Sequence, residues 1–411
     1  MGTSGLQSPA GPVTLRGETE EHVTTMFDCD NHYYEAQDAF TRHVPAAMQP
    51  RCVQWTEIDR RKRHMIAGQL DFSVGNPLFD PIAKPGVLFD YFKGNPRRKP
   101  AFEMMRGNLE PQPAAYRSPE ARLAKMDEQG LEAIWLFPTL GVLYEEKLKH
   151  DTEAVCVLFS AFNRWLEEDW GLTRERIFAA PYISLADVTW ACAELEWALE
   201  RDACIVVMRP AAVWTAAGPR APGSSCFDPF WARANEAGIT VVIHTGNAGY
   251  SSNGYDGEGF GLASVGMDDH PSVTGLALER AANDFLLDLA YKKVFERFPK
   301  LRIASIENGS AFLPNLFRQL EHARNRNPWH FTEDPLELFR THVWINPFWE
   351  DDLAEVIGWM GAEQVIFGSD WPHMEGLPHP RGIVAEVGGL DDRARDLFLR
   401  ENARRLTRRQ A

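Results

Sequence analysis

This sequence has no paired cysteine motif, no long apolar run and no excess of basic residues. Its six cysteines show no Cys-x-x-Cys pair and no regular spacing, which indicates reduced thiols in a cytoplasmic protein rather than a disulfide scaffold. No apolar run approaches the roughly 20 residues that a membrane-spanning helix needs. The first residues also lack the charged and then apolar pattern of a signal peptide. We therefore expect a cytoplasmic protein with no membrane partner.

The charge balance excludes a further class of partner. The chain has 58 Asp and Glu against 43 Lys and Arg, a formal net charge of -15. Nucleic acid is therefore not an expected partner. An anionic substrate would need locally placed arginines, because the overall field repels it.

The composition is ample for a sizeable core, since 44% of the 411 residues are hydrophobic. Residues 1–22 are rich in Gly, Ser, Thr, Pro and Glu, which predicts a mobile tail before a globular domain at 23–411. Residues 36–118 break into short apolar pieces separated by Pro and Gly and are too long for an ordinary loop. We predict an insertion there, with short helices and a small hairpin, that folds over one end of the core. Its aromatic residues, Phe72 and Phe79 among them, either cover an apolar substrate as a lid or belong to the core.

A helix-then-strand unit recurs from residue 119 onward. With the first apolar run, which leads into Asp30 and His32, there are eight short Val/Ile/Phe-rich runs. Continuous apolar strands covered by helices indicate a parallel sheet, and eight of them predict an α/β fold of the (β/α)8 TIM-barrel type, with the insertion between strands 1 and 2. An open doubly wound sheet is the alternative. The later strands are predicted at 132–138, 176–183, 203–208, 239–244, 301–306, 342–345 and 364–367, and the helices at about 120–129, 152–170, 187–201, 229–237, 273–298, 311–324, 352–360 and from 390.

Polar residues gather where these strands end, which is where a barrel carries its chemistry. Asp30 and His32 point the same way because side chains alternate along an extended segment. His244 ends the fifth strand and Asp370 follows the eighth. Carboxylates and imidazoles suit Zn, Mn or Fe, although solvated acids and a structural histidine are the plainer interpretation of each end alone. Together, Asp30, His32, His244 and Asp370 predict one cation site with a position open to water or substrate.

The motifs around these residues resemble a known family. Asp30-Asn-His32, Val-Val-Ile-His244-Thr-Gly, Ile-Glu307-Asn-Gly-Ser and Phe-Gly-Ser-Asp370-Trp-Pro-His are similar to the amidohydrolase-related family of aminocarboxymuconate-semialdehyde decarboxylase and the aromatic-acid decarboxylases. The resemblance extends from about residue 24 to the C-terminus. It implies a (β/α)8 barrel with one divalent metal, Zn or Mn, held by Asp30, His32, His244 and Asp370.

Two departures from the family pattern bear on the chemistry. Many decarboxylases of the family have His-Gly-Gly after strand six, where the imidazole assists proton transfer, but this chain has Glu-Asn-Gly at 307–309. Binuclear amidohydrolases carry a carboxylated Lys at the end of strand four, where this chain has Met-Arg-Pro at 208–210. The first departure leaves the acid-base assignment open, and the second favours a single metal.

The remaining predictions assign roles at this rim. Asp370 is expected to carry the proton, with Glu307 and His244 completing the catalytic set. Glu307 could equally hydrogen-bond a loop or His244. A guanidinium fork at Arg209 could hold a substrate carboxylate, although a salt bridge explains that residue nearly as well. The predicted substrate-binding residues are Arg209, His373 and Asn308.

The leading hypothesis is a single-metal carboxy-lyase, a non-oxidative decarboxylase of an aromatic or unsaturated carboxylic acid. The first alternative is a metal-dependent hydrolase of an ester, lactone or amide, in which Asp370 takes a proton from water activated by the metal. The second is a barrel that binds ligands without catalysis. The expected partners are a small-molecule carboxylate or ester and, by default, a second copy of the chain in a homodimer.

Overall fold

Parallel strands alternate with helices along most of the chain. The computed structural model of the protein describes residues 25–250 and 276–409; the predicted tail and the start of the helix predicted at 273–298 lie outside them. Within these ranges the strands are β1 (Met26–Tyr33), β2 (Val53–Ile58), β3 (Arg61–Ile66), β4 (Gln69–Leu70), β5 (Ile82–Ala83), β6 (Leu109–Glu110), β7 (Leu131–Pro138), β8 (Thr173–Arg174), β9 (Ile177–Ala179), β10 (Ile205–Met208), β11 (Val213–Thr215), β12 (Gly218–Arg220), β13 (Thr240–His244), β14 (Arg302–Ile306) and β15 (Val343–Ile345). The α-helices are α1 (Phe89–Phe92), α2 (Ala101–Arg106), α3 (Pro119–Gln129), α4 (Gly141–Leu148), α5 (Thr152–Asp169), α6 (Val188–Leu199), α7 (Asp228–Ala237), α8 (Ala277–Tyr291), α9 (Val294–Arg297), α10 (Leu313–Arg326), α11 (Pro335–His342), α12 (Leu353–Met360), α13 (Ile383–Glu386), α14 (Asp392–Asp396) and α15 (Asn402–Thr407).

Two four-stranded sheets form the centre of the fold. The first has the order β1-β7-β9-β8, in which only β8 is antiparallel to its neighbour. The second has the order β10-β13-β14-β15, and all its pairs are parallel. Parallel pairing continues beyond these sheets as isolated bridges at Tyr182–Val207, Ile345–Val365 and Asn31–Trp371.

Strand β13 illustrates how the sequence positions the site. Its residues Thr-Val-Val-Ile-His are all buried, as expected for a strand of β-branched residues covered on both faces. Its register with β14 pairs His244 with Ile306. Glu307, the next residue along the chain, therefore lies at the same edge of the sheet as His244.

The helix termini follow local signals in the sequence. The Ser118 side chain accepts a hydrogen bond from the backbone N–H of Ala121, Pro119 opens α3, and Gly130 ends it with a φ of 68°. This is the N-cap, proline and left-handed glycine pattern of a well-defined helix. None of the helices in the described residues combines the length and apolarity that crossing a bilayer requires.

Two predicted elements differ from the structure. The long helix predicted over 273–298 is divided into α8 and α9, because Lys293 between them has a left-handed φ of 59°. The strand predicted at 364–367 is reduced to the single bridge at Val365. Its apolar residues are buried as predicted, but they form little regular ladder.

The 36–118 segment has small elements of its own. Strands β2, β3 and β4 form an antiparallel sheet, and β5 pairs with β6. Leu88 and Met104 pack with Met374 in a separate apolar cluster. The backbone N–H groups of Gly86 and Leu88 also donate to the carbonyls of His373 and Met374, at 3.0 and 2.8 Å. The segment is therefore anchored on the loop that follows the eighth predicted strand.

Candidate metal centre

Four side chains from three strand ends meet in the interior. Asp30 and His32 lie on β1, His244 ends β13, and Glu307 follows β14; their potential ligand atoms all lie within 4.8 Å of one another. The Nε2 atom of His32 is 3.3 Å from Oδ1 of Asp30, and Nε2 of His244 is 3.3 Å from Oε2 of Glu307. The structure thus brings three of the four predicted ligands together with Glu307, and a second group of potential ligands joins His32 and Glu307 to Asp370 and His373.

Three of these atoms suggest that the cluster holds a cation. Oδ1 of Asp30 and the Nε2 atoms of His32 and His244 are buried and have no hydrogen-bond partner. Buried polar atoms without partners cost free energy. Ligands about 2.0–2.2 Å from a tetrahedral zinc ion lie about 3.3–3.6 Å apart, and the contacts within the cluster span 3.3 to 3.5 Å. The residues therefore fit a divalent cation.

The backbone fixes which nitrogen of each imidazole faces the cluster. Nδ1 of His32 lies 3.2 Å from the carbonyl oxygen of Pro138, and Nδ1 of His244 lies 2.9 Å from that of Thr245. A neutral imidazole that donates from Nδ1 to a carbonyl keeps a lone pair on Nε2. Both histidines are thereby oriented as ligands.

Arg122 supports the first strand from behind. Its guanidinium donates to the His32 carbonyl and to Oδ1 of Asn31, both at 2.6 Å, and to the Ala115 carbonyl at 2.7 Å. It also lies 4.8 Å from the centre of the Trp371 ring. Burial lowers the pKa of Arg122 to about 9, which leaves it charged at neutral pH. Arg122 is therefore a buried cation that holds β1 and the turn at Trp371 in place.

A second buried carboxylate holds the turn that carries Asp370. Asp28 accepts hydrogen bonds from the Ser369 backbone N–H at 2.8 Å and from the Ser369 hydroxyl at 2.5 Å. Burial raises the pKa of Asp28 to about 7, although these bonds oppose the shift. Asp370 follows with a left-handed φ of 55°. Asp28 thus ties β1 to a turn 341 residues further along the chain.

Asp370 and His373 form a pair beside the cluster. Oδ1 of Asp370 is 2.6 Å from Nδ1 of His373 and 3.4 Å from Nε2 of His32. The Thr139 hydroxyl donates to the Tyr33 carbonyl at 2.8 Å and lies 3.0 Å from Nε2 of His373. Because that hydroxyl proton is already used, His373 must donate from Nε2, which leaves Nδ1 as an acceptor when the ring is neutral. Burial lowers the pKa of His373 and raises the pKa of Asp370, so the shared proton belongs to Asp370.

This region contains more carboxyl groups than imidazoles. Burial opposes ionisation of Asp30, but the imidazoles of His244 and His32 lower its pKa. Burial likewise lowers the pKa of His32, yet the nearby carboxylates of Asp30 and Glu307 raise it to about 9. Burial, followed by repulsion from Glu307, raises the pKa of Glu375 to about 7. The site therefore attracts positive charge, either protons or a divalent cation.

Two of the predicted substrate-binding residues lie elsewhere. Arg209 is buried, and its guanidinium donates to Glu146 at 2.6 Å and faces Glu145 at 3.4 Å, so it forms a buried ion-pair group instead of a carboxylate clamp in the cavity. Asn308 is fully buried, and its amide donates to backbone carbonyls at the ends of β13 and β14. Both residues stand at the predicted strand ends but point into the packing between elements. His373 does face the cavity.

Sequence reasoning missed several residues of this site. Arg122, Asp28 and Glu375 act through contacts with distant segments, so no local pattern marked their roles. Thr139 directly follows the strand predicted at 132–138, and its position at a strand end was a usable signal. The compact four-residue set also contains Glu307 where the prediction had Asp370.

A cavity of about 680 Å³ opens above this cluster. Its floor includes His32, His244, Glu307 and His373, and Glu375 lines it as well. Much of its wall consists of apolar side chains of the 36–118 segment. Among the described residues that line the cavity, none is Lys or Arg.

Comparison with known proteins identifies the family. The profile of the Amidohydrolase family matches residues 27–409. An amidohydrolase from Mycobacterium avium subsp. paratuberculosis K-10 is 40% identical, with a TM-score of 0.86 over 93% of this chain and 99% of that one. A 2,6-dihydroxybenzoate decarboxylase from Rhizobium is 19% identical, with a TM-score of 0.56 over 80% of this chain and 96% of that one. A 5-carboxyvanillate decarboxylase from Novosphingobium aromaticivorans, solved with manganese, is 14% identical, with a TM-score of 0.58 over 95% and 98%. The two decarboxylases share the fold of this chain. The family match and the 40% identical amidohydrolase show that the chain belongs to the amidohydrolase family, as its motifs predicted.

Proposed function

We propose that the protein is a single-metal enzyme that hydrolyses an uncharged ester, lactone or amide. Asp30, His32, His244 and Glu307 would hold the cation, Zn or Mn, and Asp370 would stand beside it. When bound, the ion supplies Lewis acidity toward the substrate carbonyl and lowers the pKa of a water molecule. The three buried ligand atoms without hydrogen-bond partners support this assignment.

The same proposal includes a closed (β/α)8 barrel around the site. Backbone hydrogen bonds between the sheet edges support closure: Ile366 donates to Ile345 at 2.9 Å, and Cys29 donates to Phe367 at 2.8 Å. The bridge between Tyr182 and Val207 supports the remaining junction. The 36–118 segment would then be an insertion that covers the cavity. The homodimer and the cytoplasmic location stay predictions.

The charge of the cavity supports hydrolysis over decarboxylation. A decarboxylase must bind a carboxylate, but Glu307 and Glu375 line this cavity and no described Lys or Arg does. The sequence of residues 251–275, outside the described part, contains no Lys or Arg either. Asp30 and Glu307 balance the two positive charges of the proposed ion, so a substrate carboxylate beside Glu375 finds no surplus positive charge and is poorly compensated for lost water. An uncharged substrate meets no such penalty, and this observation favours hydrolysis over the decarboxylation expected from the motifs.

Two basic residues that bond to the 36–118 segment are engaged there. Arg63 donates to the carbonyls of Val74 and Gly75. Lys147 pairs with Asp71 at 2.6 Å. Asp71 neutralises Lys147, and neither Lys147 nor Arg63 lines the cavity, so both are poor candidates for binding a substrate carboxylate.

The Asp370–His373 pair would move the proton. Asp370 accepts the proton of the attacking water on one carboxyl oxygen and passes the proton that it shares with His373 to Nδ1 of that ring, while the hydroxide adds to the substrate carbonyl carbon. The same carboxyl then protonates the leaving oxygen or nitrogen as the C–O or C–N bond breaks. Nδ1 of His373 orients Asp370, and Thr139 fixes His373 in the tautomer that accepts at Nδ1. General acid-base catalysis by one carboxyl accounts for both transfers.

Decarboxylation remains the second candidate, because the strand-end motifs resemble those of decarboxylases. In that reaction Asp370 would deliver its proton to the carbon that loses CO2. A barrel that only binds ligands is the third candidate.

Paired substrates separate these candidates. The protein loaded with Zn or Mn is incubated with dihydrocoumarin, an uncharged aryl lactone, and with hydroxybenzoates, while ring opening and CO2 release are followed. Ring opening without CO2 release, abolished in Asp370→Asn, is the expected result. CO2 release without ring opening would establish the decarboxylase instead. Stoichiometric metal with neither reaction would favour the binding protein.

A further inference from the structure

The mouth of the cavity exposes apolar side chains to solvent. Phe72 is 67% exposed, Phe102 is 51% exposed and Leu109 is 49% exposed. All three line the cavity whose floor holds His32 and His244. A single exposed apolar residue needs no explanation, but a group around the opening of one cavity indicates a binding surface.

The floor of this cavity is polar, and most of its wall is apolar. The floor is made of imidazoles and carboxylates, and the wall above it includes Val74, Phe79, Ile82 and Met105. At about 680 Å³, the cavity falls in the range of roughly 300–1,000 Å³ that encloses drug-sized ligands. A ligand that reaches only the floor would leave the walls and the mouth uncovered.

Among the described residues that line the mouth, none is Lys or Arg. The Arg63 guanidinium lies 5.9 Å from the centre of the Phe72 ring, but it donates to the carbonyls of Val74 and Gly75. A charged group on the outer part of a ligand would therefore lose water without gaining an ion pair.

We propose that the substrate is an amphiphile with one reactive group and a large, uncharged apolar body. The reactive group binds at the floor, and the body, a long acyl chain or a multi-ring hydrocarbon, fills the cavity and covers Phe72, Phe102 and Leu109. The reactive group rests on the proposed hydrolase function. The apolar body is inferred from the walls and the mouth alone, so it can be tested separately.

The first test measures binding of N-phenyl-1-naphthylamine, an uncharged dye that fluoresces in apolar sites, to the metal-loaded protein. Phe72→Ser should raise its Kd about tenfold, because a Phe side chain loses its contact with the ligand. Trp329→Ser is the matched control, since Trp329 is 81% exposed and does not line the cavity; its Kd should not change. Both substitutions are at exposed sites, so folding and metal content should stay intact.

The second test follows hydrolysis of p-nitrophenyl esters with acyl chains of increasing length. kcat/KM should rise about three- to fourfold per added CH2 group, the value of burying one such group, and Phe72→Ser should flatten this rise. Dye binding that depends on Phe72, without ester hydrolysis, would support the proposal of an apolar substrate body and overturn the proposed hydrolase function. If the dye does not bind, or if Phe72→Ser leaves its Kd unchanged, the proposal of an amphiphilic substrate is overturned. If the protein is a dimer and Phe72→Ser dissociates it, the mouth is a protein interface. That result would also overturn the proposal of an amphiphilic substrate.

Discussion

The floor and the mouth of the cavity are built in opposite ways. The floor stands on the ends of β1, β13 and β14, and its ligands Asp30, His32 and His244 are at most 2% exposed. The mouth belongs to the 36–118 segment, and its side chains Phe72 and Phe102 are more than half exposed. Strands β13 and β14 have ladders on both sides, and β1 has a ladder with β7 and a bridge to Trp371, so all three hold their side chains in fixed positions, whereas short loop-linked elements can vary in shape. The strand ends would therefore set the reaction, and the segment would set the substrate.

The largest effect should follow from removing a ligand at the floor. His244→Ala should remove bound metal and lower kcat/KM at least about 1,000-fold, because metal activation supplies several kcal/mol of transition-state stabilisation. Metal content by mass spectrometry and lactone hydrolysis measure both. His379→Ala, at an exposed histidine outside the cluster, should change neither. Full metal content in His244→Ala would disprove the site.

The next effect distinguishes Asp370 from the ligands around it. Asp370→Asn should lower kcat about 100- to 10,000-fold, the contribution of a general acid-base group, while metal content persists. The reason is that the compact four-residue set contains Glu307 and not Asp370. Glu307→Gln should weaken metal binding. Loss of metal in Asp370→Asn but not in Glu307→Gln would restore the ligand set predicted from the sequence.

Arg122 tests how firmly the floor is held. Arg122→Met should lower the free energy of unfolding by about 3 kcal/mol, because it leaves the carbonyls and Asn31 that Arg122 bonds without a donor. Urea unfolding of the metal-loaded protein measures the change. Arg174→Met, which removes an exposed pair with Glu120, should have little effect. Equal effects of the two substitutions would show that the buried network adds no rigidity.

The last effect concerns the 36–118 segment and depends on pH. Burial lowers the pKa of His64, on β3, from 6.5 to about 4. The unfolded chain therefore binds a proton below pH 6.5 that the folded chain takes up only near pH 4. The stabilising contribution is complete above pH 6.5 and falls by up to about 3 kcal/mol as the pH drops toward 4.

The comparison variant is His64→Phe, which cannot titrate. The wild-type protein should lose stability relative to this variant as the pH falls from 6.5 to 4, as measured by urea unfolding. If hydrogen exchange shows that the 36–118 segment opens first, the mouth is energetically separate from the floor. A constant difference between the two proteins at all pH values would contradict the buried, neutral His64.

Much of the fold was predictable because its signals are local. Ser118, Pro119 and Gly130 bound α3 in the structure as they do in the sequence. The apolar runs became buried parallel strands, and polar residues after them met at one edge. The same signals at Asp334 and Pro335 open α11, a helix that the sequence reasoning overlooked. Lys293 carries no such signal, so the break between α8 and α9 could not be foreseen.

The differences between the predicted and the observed surroundings of the site residues arise from contacts between distant segments. Arg209 has the residue type and strand-end position of a carboxylate clamp, but the glutamates of α4 neutralise it. Helix α4 itself was not predicted. The lining of the cavity by Phe72 and Phe102 depends on how the 36–118 segment folds back, and its composition of short pieces left that path open.

The sequence by itself determined which residue types could hold a cation, because strand ends and side-chain alternation are readable within a few residues. Only the tertiary structure decided that Glu307 completes the compact set, that Arg209 lies outside the cavity and that no described basic side chain lines it. These are properties of which surfaces pack together across hundreds of residues, and the free energy of that packing is not encoded in any single stretch of the chain.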